Sequence, residues 1–90
     1  MNYKQNMTIK RDRDWVTDYT FDFSADLPNV VKANVTVADG LIAGVPQMSP
    51  PAKAKVRISG GAPGQKYAFK ITAEASNGEV RPMNLIFVIT

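Results

Sequence analysis

Apolar residues recur at every second position along most of this chain. That pattern lets a strand bury one face and denies a helix its continuous stripe. Tyr19, Phe21 and Phe23 alternate with Thr20, Asp22 and Ser24. Val31, Ala33, Val35 and Val37 alternate with Lys32, Asn34 and Thr36. Ala54, Val56 and Ile58 alternate with Lys53, Lys55 and Arg57. Tyr67, Phe69, Ile71 and Ala73 alternate with Ala68, Lys70, Thr72 and Glu74. These runs are rich in aromatic and β-branched residues, as half-buried antiparallel strands are. No segment holds a 3.6-residue period, so no long helix is expected.

Turn chemistry divides the runs. Asp26-Leu27-Pro28-Asn29 closes the first, and Asp39-Gly40 follows the second with a glycine suited to positive φ. Pro46 and Ser49-Pro50-Pro51 leave Leu41 to Met48 as at most a short edge strand. Ser59-Gly60-Gly61-Ala62-Pro63-Gly64 is a glycine-rich corner, and Asn77-Gly78 is the strongest tight-hairpin signal. The spacing predicts seven strands, near 6–10, 16–24, 30–37, 41–47, 53–59, 66–76 and 80–90. Strands of that length and spacing predict an all-β fold, an immunoglobulin-like antiparallel β-sandwich. Residues 1–14 read as an N-terminal arm or first edge strand, and 15–90 as the sandwich domain. Tyr67 opens the sixth strand after the glycine-rich corner, where a tyrosine corner sits in such folds; the alternative is an ordinary core aromatic.

Composition removes several kinds of chemistry. The 90 residues suit one domain with one modest core. The chain has no cysteine, hence no disulfide and no thiolate metal site, and no histidine, the commonest general base and metal ligand. Ser24, Ser49, Ser59 and Ser76 therefore lack an obvious activating partner, and no enzyme activity and no cofactor are expected. The longest apolar run, Leu85 to Ile89, is far below the roughly 20 residues that cross a bilayer. Met1 to Asp14 is polar and does not read as a secretory leader. No membrane association and synthesis in the cytoplasm are the corresponding expectations.

The charged segments have plain readings. Asp12, Asp14 and Asp18 could be taken for calcium ligands, but calcium needs six to eight oxygens, and Arg13 sits among them. Arg11-Asp12-Arg13-Asp14 reads instead as a solvated loop with local ion pairs. Lys53, Lys55 and Arg57 form a basic row that could hold phosphate. In an immunoglobulin-like sandwich the second and fifth strands are neighbours, so this row would face Asp18 and Asp22 and be paired. The formal charge of +3 is mild, and no nucleic-acid partner is expected.

The last strand is different. Met83, Leu85, Phe87 and Ile89 make one apolar face, while Ile86 and Val88 make the other apolar too. A two-layer sandwich should show polar residues there. The strand also runs to Thr90, which predicts an edge with little to shield it. Ile86 and Val88 are therefore candidate protein-contact residues, together with Trp15 and Tyr3 as exposed rings.

The residues carry a resemblance. Asp12-Arg13-Asp14-Trp15-Val16-Thr17-Asp18-Tyr19-Thr20-Phe21-Asp22-Phe23-Ser24 is followed by Val37-Ala38-Asp39-Gly40-Leu41. Then come Val56-Arg57-Ile58-Ser59-Gly60-Gly61, Gly64-Gln65-Lys66-Tyr67 and the strand from Ile71 into Gly78. Over residues 12–90 this order is similar to small bacteriophage virion proteins described as fibre-tail adaptors. Phe23 and Glu79 depart from that family's usual tryptophan and arginine. The resemblance implies a structural virion protein of a tailed phage, an adaptor in the neck or tail that attaches fibres or neighbouring rings. Its implied partners are other virion proteins and copies of itself, with no small-molecule substrate. Alternatives are a capsid decoration protein, a carbohydrate-binding module using Trp15 and Tyr3, or a nucleic-acid binder using Lys53, Lys55 and Arg57.

Overall fold

The computed structural model describes residues 2–3 and 7–90, and every regular element there is a strand. In chain order these are β1 (Asn2–Tyr3), β2 (Thr8–Arg11), β3 (Thr17–Asp22), β4 (Lys32–Val37), β5 (Leu41–Ala43), β6 (Gln47–Ser49), β7 (Lys53–Gly60), β8 (Lys66–Glu74) and β9 (Val80–Ile89). The nine strands exceed the expected seven for two reasons. Gly44-Val45-Pro46 splits the fourth expected strand into β5 and β6, and Asn2–Tyr3 adds a parallel pair to β3. Of the arm or first edge strand expected over residues 1–14, residues 1 and 4–6 lie outside the described residues, and β2 is a strand of the second of two sheets.

The strands form two sheets. One has the order β1-β3-β7-β5, with β6 also on β7, and the other has the order β2-β9-β8-β4. The second and fifth long strands, β3 and β7, are neighbours, as the immunoglobulin-like expectation required. The β8–β9 hairpin turns at Ser76-Asn77-Gly78, where the Ala75 N–H donates to the Glu79 carbonyl and Gly78 takes a φ of 90°. The Asn77 side chain accepts from the Glu79 N–H at 3.0 Å and so fixes the turn.

Two expectations are corrected. The last strand is not an edge: β2 lies parallel along it, pairing Thr8 with Ile86 and Arg11 with Ile89, while β8 covers its other side. The sequence run that begins at Val31 starts one residue early, because Val30 enters the core and Val31 is exposed.

The inward residues follow the period of two. Tyr19 and Phe21 of β3, Val56 and Ile58 of β7, Phe69 and Ile71 of β8, and Leu85, Phe87 and Ile89 of β9 are all buried in one core. Four rings link the sheets. Phe21 stacks on Phe69 at 5.2 Å, Phe69 meets Phe87 edge-on at 5.4 Å, and Phe87 meets Tyr19 edge-on at 5.2 Å.

One end of the sandwich is tied by polar groups. The Tyr67 hydroxyl accepts a hydrogen bond from the Ala62 N–H at 2.8 Å, the bond of a tyrosine corner. Gly40 has a φ of 102°, and a Cβ there would stand 3.0 Å from the Tyr67 ring. Arg11 was expected in a solvated loop but is 1% exposed. It shares the inward face of β2 with Ile9 and donates to the carbonyls of Gly60 and Trp15. The strand β2 thus reaches across to the end of β7.

Two substitutions test this end. Arg11→Ala leaves both carbonyls without their donor and opens a cavity, so urea unfolding should show a loss of about 2–4 kcal/mol. A loss under about 0.5 kcal/mol, the range of ordinary surface changes, would show that the arginine holds nothing together. Gly61→Ala places a Cβ 2.6 Å from Ile89 Cγ1 at a φ of 95°, and should destabilise by more than ~1 kcal/mol in urea unfolding, where an unstrained glycine-to-alanine change would stabilise.

Candidate functional site

The outward side chains of the two sheets differ in kind. On the first sheet, Asp18 lies opposite Arg57, Thr20 opposite Lys55 and Asp22 opposite Lys53. Arg57 Nε donates to Asp18 Oδ1 at 2.9 Å and its Nη2 to Oδ2 at 3.3 Å, a two-pronged pair. That hydrogen bond, with the guanidinium charge behind it, holds the Asp18 carboxyl below the usual aspartate range and raises Arg57 in turn. Asp22 is also lowered, first by the Ser24 hydroxyl, then by the Ser24 N–H at 2.9 Å, with Lys53 adding charge. The basic row is interleaved with acids, as parity and topology predicted. The calcium reading loses its ligands in the same way. Asp18 is taken by Arg57, and Asp12 accepts from the Asp14 N–H at 2.9 Å within its own loop.

The second sheet presents a different surface. Its outward rows run Thr8-Ile86-Ala68-Ala38, then Asn84-Lys70-Thr36, then Pro82-Thr72-Asn34. Ile86 is 37% exposed in the middle of the first row, and Val88 beside it is half-buried. Ala38 and Ala68 carry no atoms beyond Cβ, so the sheet sinks between Ile86, Thr36 and Lys70. The result is an open depression of about 520 Å³, lined also by Asn84. Lysines stand on the same face. Lys10 and Lys66 flank Val88, Lys70 stands between Asn84 and Thr36, and Lys32 lies opposite Glu74.

A second apolar surface lies where the two sheets part, between β4 and the β5–β6 segment. The inward residues of β4, Ala33, Val35 and Val37, are only partly buried, unlike those of β3, β7, β8 and β9. Across the gap Val45 is 86% exposed, while Ile42, 62% exposed, points to the outer face of the first sheet. A concavity of about 360 Å³ runs along the gap, lined by Val35, Val37, Ala43 and Pro46 among others. The Gly44 N–H donates to the Arg57 carbonyl at 2.8 Å, and the backbone then carries Val45 outward.

The four residues singled out from sequence are not one cluster. Ile86 and Val88 share the outer face of β9. Trp15 is 53% exposed in the loop after β2, beyond the Arg11–Ile89 pair, next to the exposed Val16. Tyr3 is placed by its backbone opposite Phe21, and its side chain lies outside the described residues. Sequence reading missed Ala38 and Ala68, because small residues give no signal until their neighbours in the sheet are known. It also missed Ile42 and Val45, which sit among chain breakers.

A family model described as podophage GP4 fiber-tail adaptor protein gp77 matches residues 11–87. The chain belongs to this family. The match runs from the last residue of β2 to Phe87 within β9 and takes in the residues lining both apolar concavities. It puts the chain among structural proteins of the phage tail, and it agrees with the resemblance read from residues 12–90. No curated protein sequence matches the chain.

The lowered carboxylates set a pH prediction. Each binds its proton less readily when folded, so each stabilises the fold above the usual aspartate value near 4. That stabilisation is lost as pH falls through the lowered values. Both groups meet solvent, so the slope is shallow. Melting temperature measured from pH 5 downward should fall, and the Asp18→Asn/Asp22→Asn double variant should fall less steeply over the same range. Identical slopes would show that neither pair matters to the fold.

Proposed function

We propose that this chain is a non-enzymatic adaptor of the phage particle that joins the tail or neck to its fibres or to a neighbouring ring. It is made in the bacterial cytoplasm and built into the virion beside other virion proteins. An adaptor needs two places to bind and a body that fixes their relation. The observation that carries the reading is that this member of a fibre-tail adaptor family leaves apolar side chains unburied in two separate places. These are the Ile86 face of the second sheet and the Val45 seam between the sheets. Exposed apolar groups grouped in concave sites mark protein contacts more than scattered ones do.

The charged face of the first sheet supports the same division of labour, because its acids are already engaged, Asp18 by Arg57 and Asp22 by Ser24. Trp15 stands beside an aliphatic residue, not in a row of rings, which leaves little platform for a sugar.

Size-exclusion chromatography with light scattering tests the reading. The chain is mixed with purified fibres, with fibreless tails, and with both. Co-elution with each, and fibre attachment only when the chain is present, is the expected result. A monomer that binds neither would overturn it. Electron microscopy of particles carrying the tagged chain separates an adaptor at the tail vertex from a decoration protein spread over the shell.

A further inference from the structure

The outer face of the β2-β9-β8-β4 sheet carries a charge pattern that identifies the kind of partner it fits. Lys10, Lys32, Lys66 and Lys70 point outward from this face, against one acid, Glu74. That surplus equals the formal charge of the whole chain, +3, so the acids and bases of the rest of the sequence balance. Among the described residues none of these lysines is held in an ion pair, whereas Arg57, Arg81 and Arg13 each have an acid within reach. Lys70 lines the apolar depression at Ile86, Ala38 and Ala68, and Lys10 and Lys66 stand one row beyond Ile86, beside Val88, while Lys32 lies at the far end of the face opposite Glu74.

We propose that this face docks a partner protein that inserts an apolar side chain between Ile86, Ala38 and Ala68 and sets carboxylates against Lys10, Lys66 and Lys70. The proposal rests on the adaptor reading and names the chemistry of one of its two partners. A second copy of this chain is a poor occupant. Face to face, two copies would bring lysine rows together, and the outer face of the first sheet offers no uncommitted acidic surface, because Asp18 and Asp22 already have hydrogen-bonding partners. Nucleic acid is also a poor occupant. The face exposes no aromatic ring for a base to stack on, and its centre is apolar where a phosphate chain would need donors. The lysine rim has a further consequence. Like charges keep unbound copies apart while the apolar centre is uncovered, so the surface stays available for an acidic partner.

Biolayer interferometry with the full chain tests this, using purified fibres and fibreless tails as separate probes at about 50 and 200 mM salt. Three variants are compared. Ala68→Phe fills the depression, Lys66→Glu/Lys70→Glu reverses the rim, and Lys55→Glu on the other sheet is the control. Circular dichroism melts establish that each variant is folded; because residues 66, 68 and 70 are exposed, the substitutions leave the core side chains in place. The expected result is that one probe loses about tenfold or more in affinity with each of the first two variants, keeps its affinity with the control, and binds the natural chain more weakly at the higher salt. Undiminished binding of both probes by both variants would overturn the proposal and leave the adaptor reading standing. Binding of neither probe by the natural chain would overturn both. Dimerisation of the natural chain abolished by Ala68→Phe would give the face to a second copy. Retention of duplex DNA weakened by Lys66→Glu/Lys70→Glu but not by Ala68→Phe would give it to nucleic acid.

Discussion

Phe69 holds the two sheets to one register. It stacks on Phe21 across the core and meets Phe87 edge-on along its own sheet, and Phe87 in turn meets Tyr19. With no cysteine in the chain, nothing covalent fixes the sheet spacing, and packed side chains must do it. The consequence reaches the surface, because in a strand the residues beside an inward ring must point outward. Ile86 faces out because Leu85 and Phe87 face in, and Ala68 and Lys70 face out because Tyr67, Phe69 and Ile71 face in. A slip of one residue between β8 and β9 would bury Lys70 and expose Tyr67 and Phe69, or bury Asn84 and expose Phe87. The outer face of the second sheet is thus specified by the same contacts that make the core.

The tied end solves a different problem. The loops around Gly40 and Gly61 and the end of β9 converge on Tyr67. The Gly61 N–H donates to the Gly40 carbonyl at 2.9 Å, and the Gly64 N–H to the Ile89 carbonyl at 2.8 Å. Arg11 brings β2 into this cluster without an acid. Its acceptors are backbone carbonyls, and its Nε–H has no acceptor among the described residues. A buried guanidinium held only by neutral oxygens is a costly way to join two elements. What it provides is direction: β2 lies parallel on β9, a pairing with no hairpin to enforce it, and Arg11 fixes where that strand stops.

The parts of this structure that are local in sequence could be read there. Alternation gave the long strands, and Asn77-Gly78 the hairpin. Parity joined to the immunoglobulin-like order gave the facing of Asp18 with Arg57. What escaped depends on distant pairing. The edge of β9 looked bare because nothing in Leu85 to Thr90 reveals that Thr8 to Arg11 returns beside it. Arg11 looked solvated because a charged residue in a charged run carries no mark of burial, although its parity with Ile9 pointed inward. The depression depends on Ala38 and Ala68 becoming neighbours across β4 and β8, and the seam on β4 lacking a partner where the sheets part.

The edges show how such a surface can stay specific. β5 and β6 are three residues each, interrupted by Gly44-Val45-Pro46, and Pro50-Pro51 follows, so the first sheet offers little continuous backbone to a passing strand. β2 is short and ends at Arg11. β4 alone among the edge strands runs six residues, and it lies beside the seam. The longest edge strand thus lies between the two apolar concavities. On the adaptor reading this arrangement matters mechanically. Both surfaces use β4 residues on opposite faces, Thr36 toward the depression and Val35 and Val37 toward the seam. Partners seated at the two places would be related through a single strand and the ring-packed core behind it, with no hinge between them, so the angle of one partner to the other would be set by the sandwich itself.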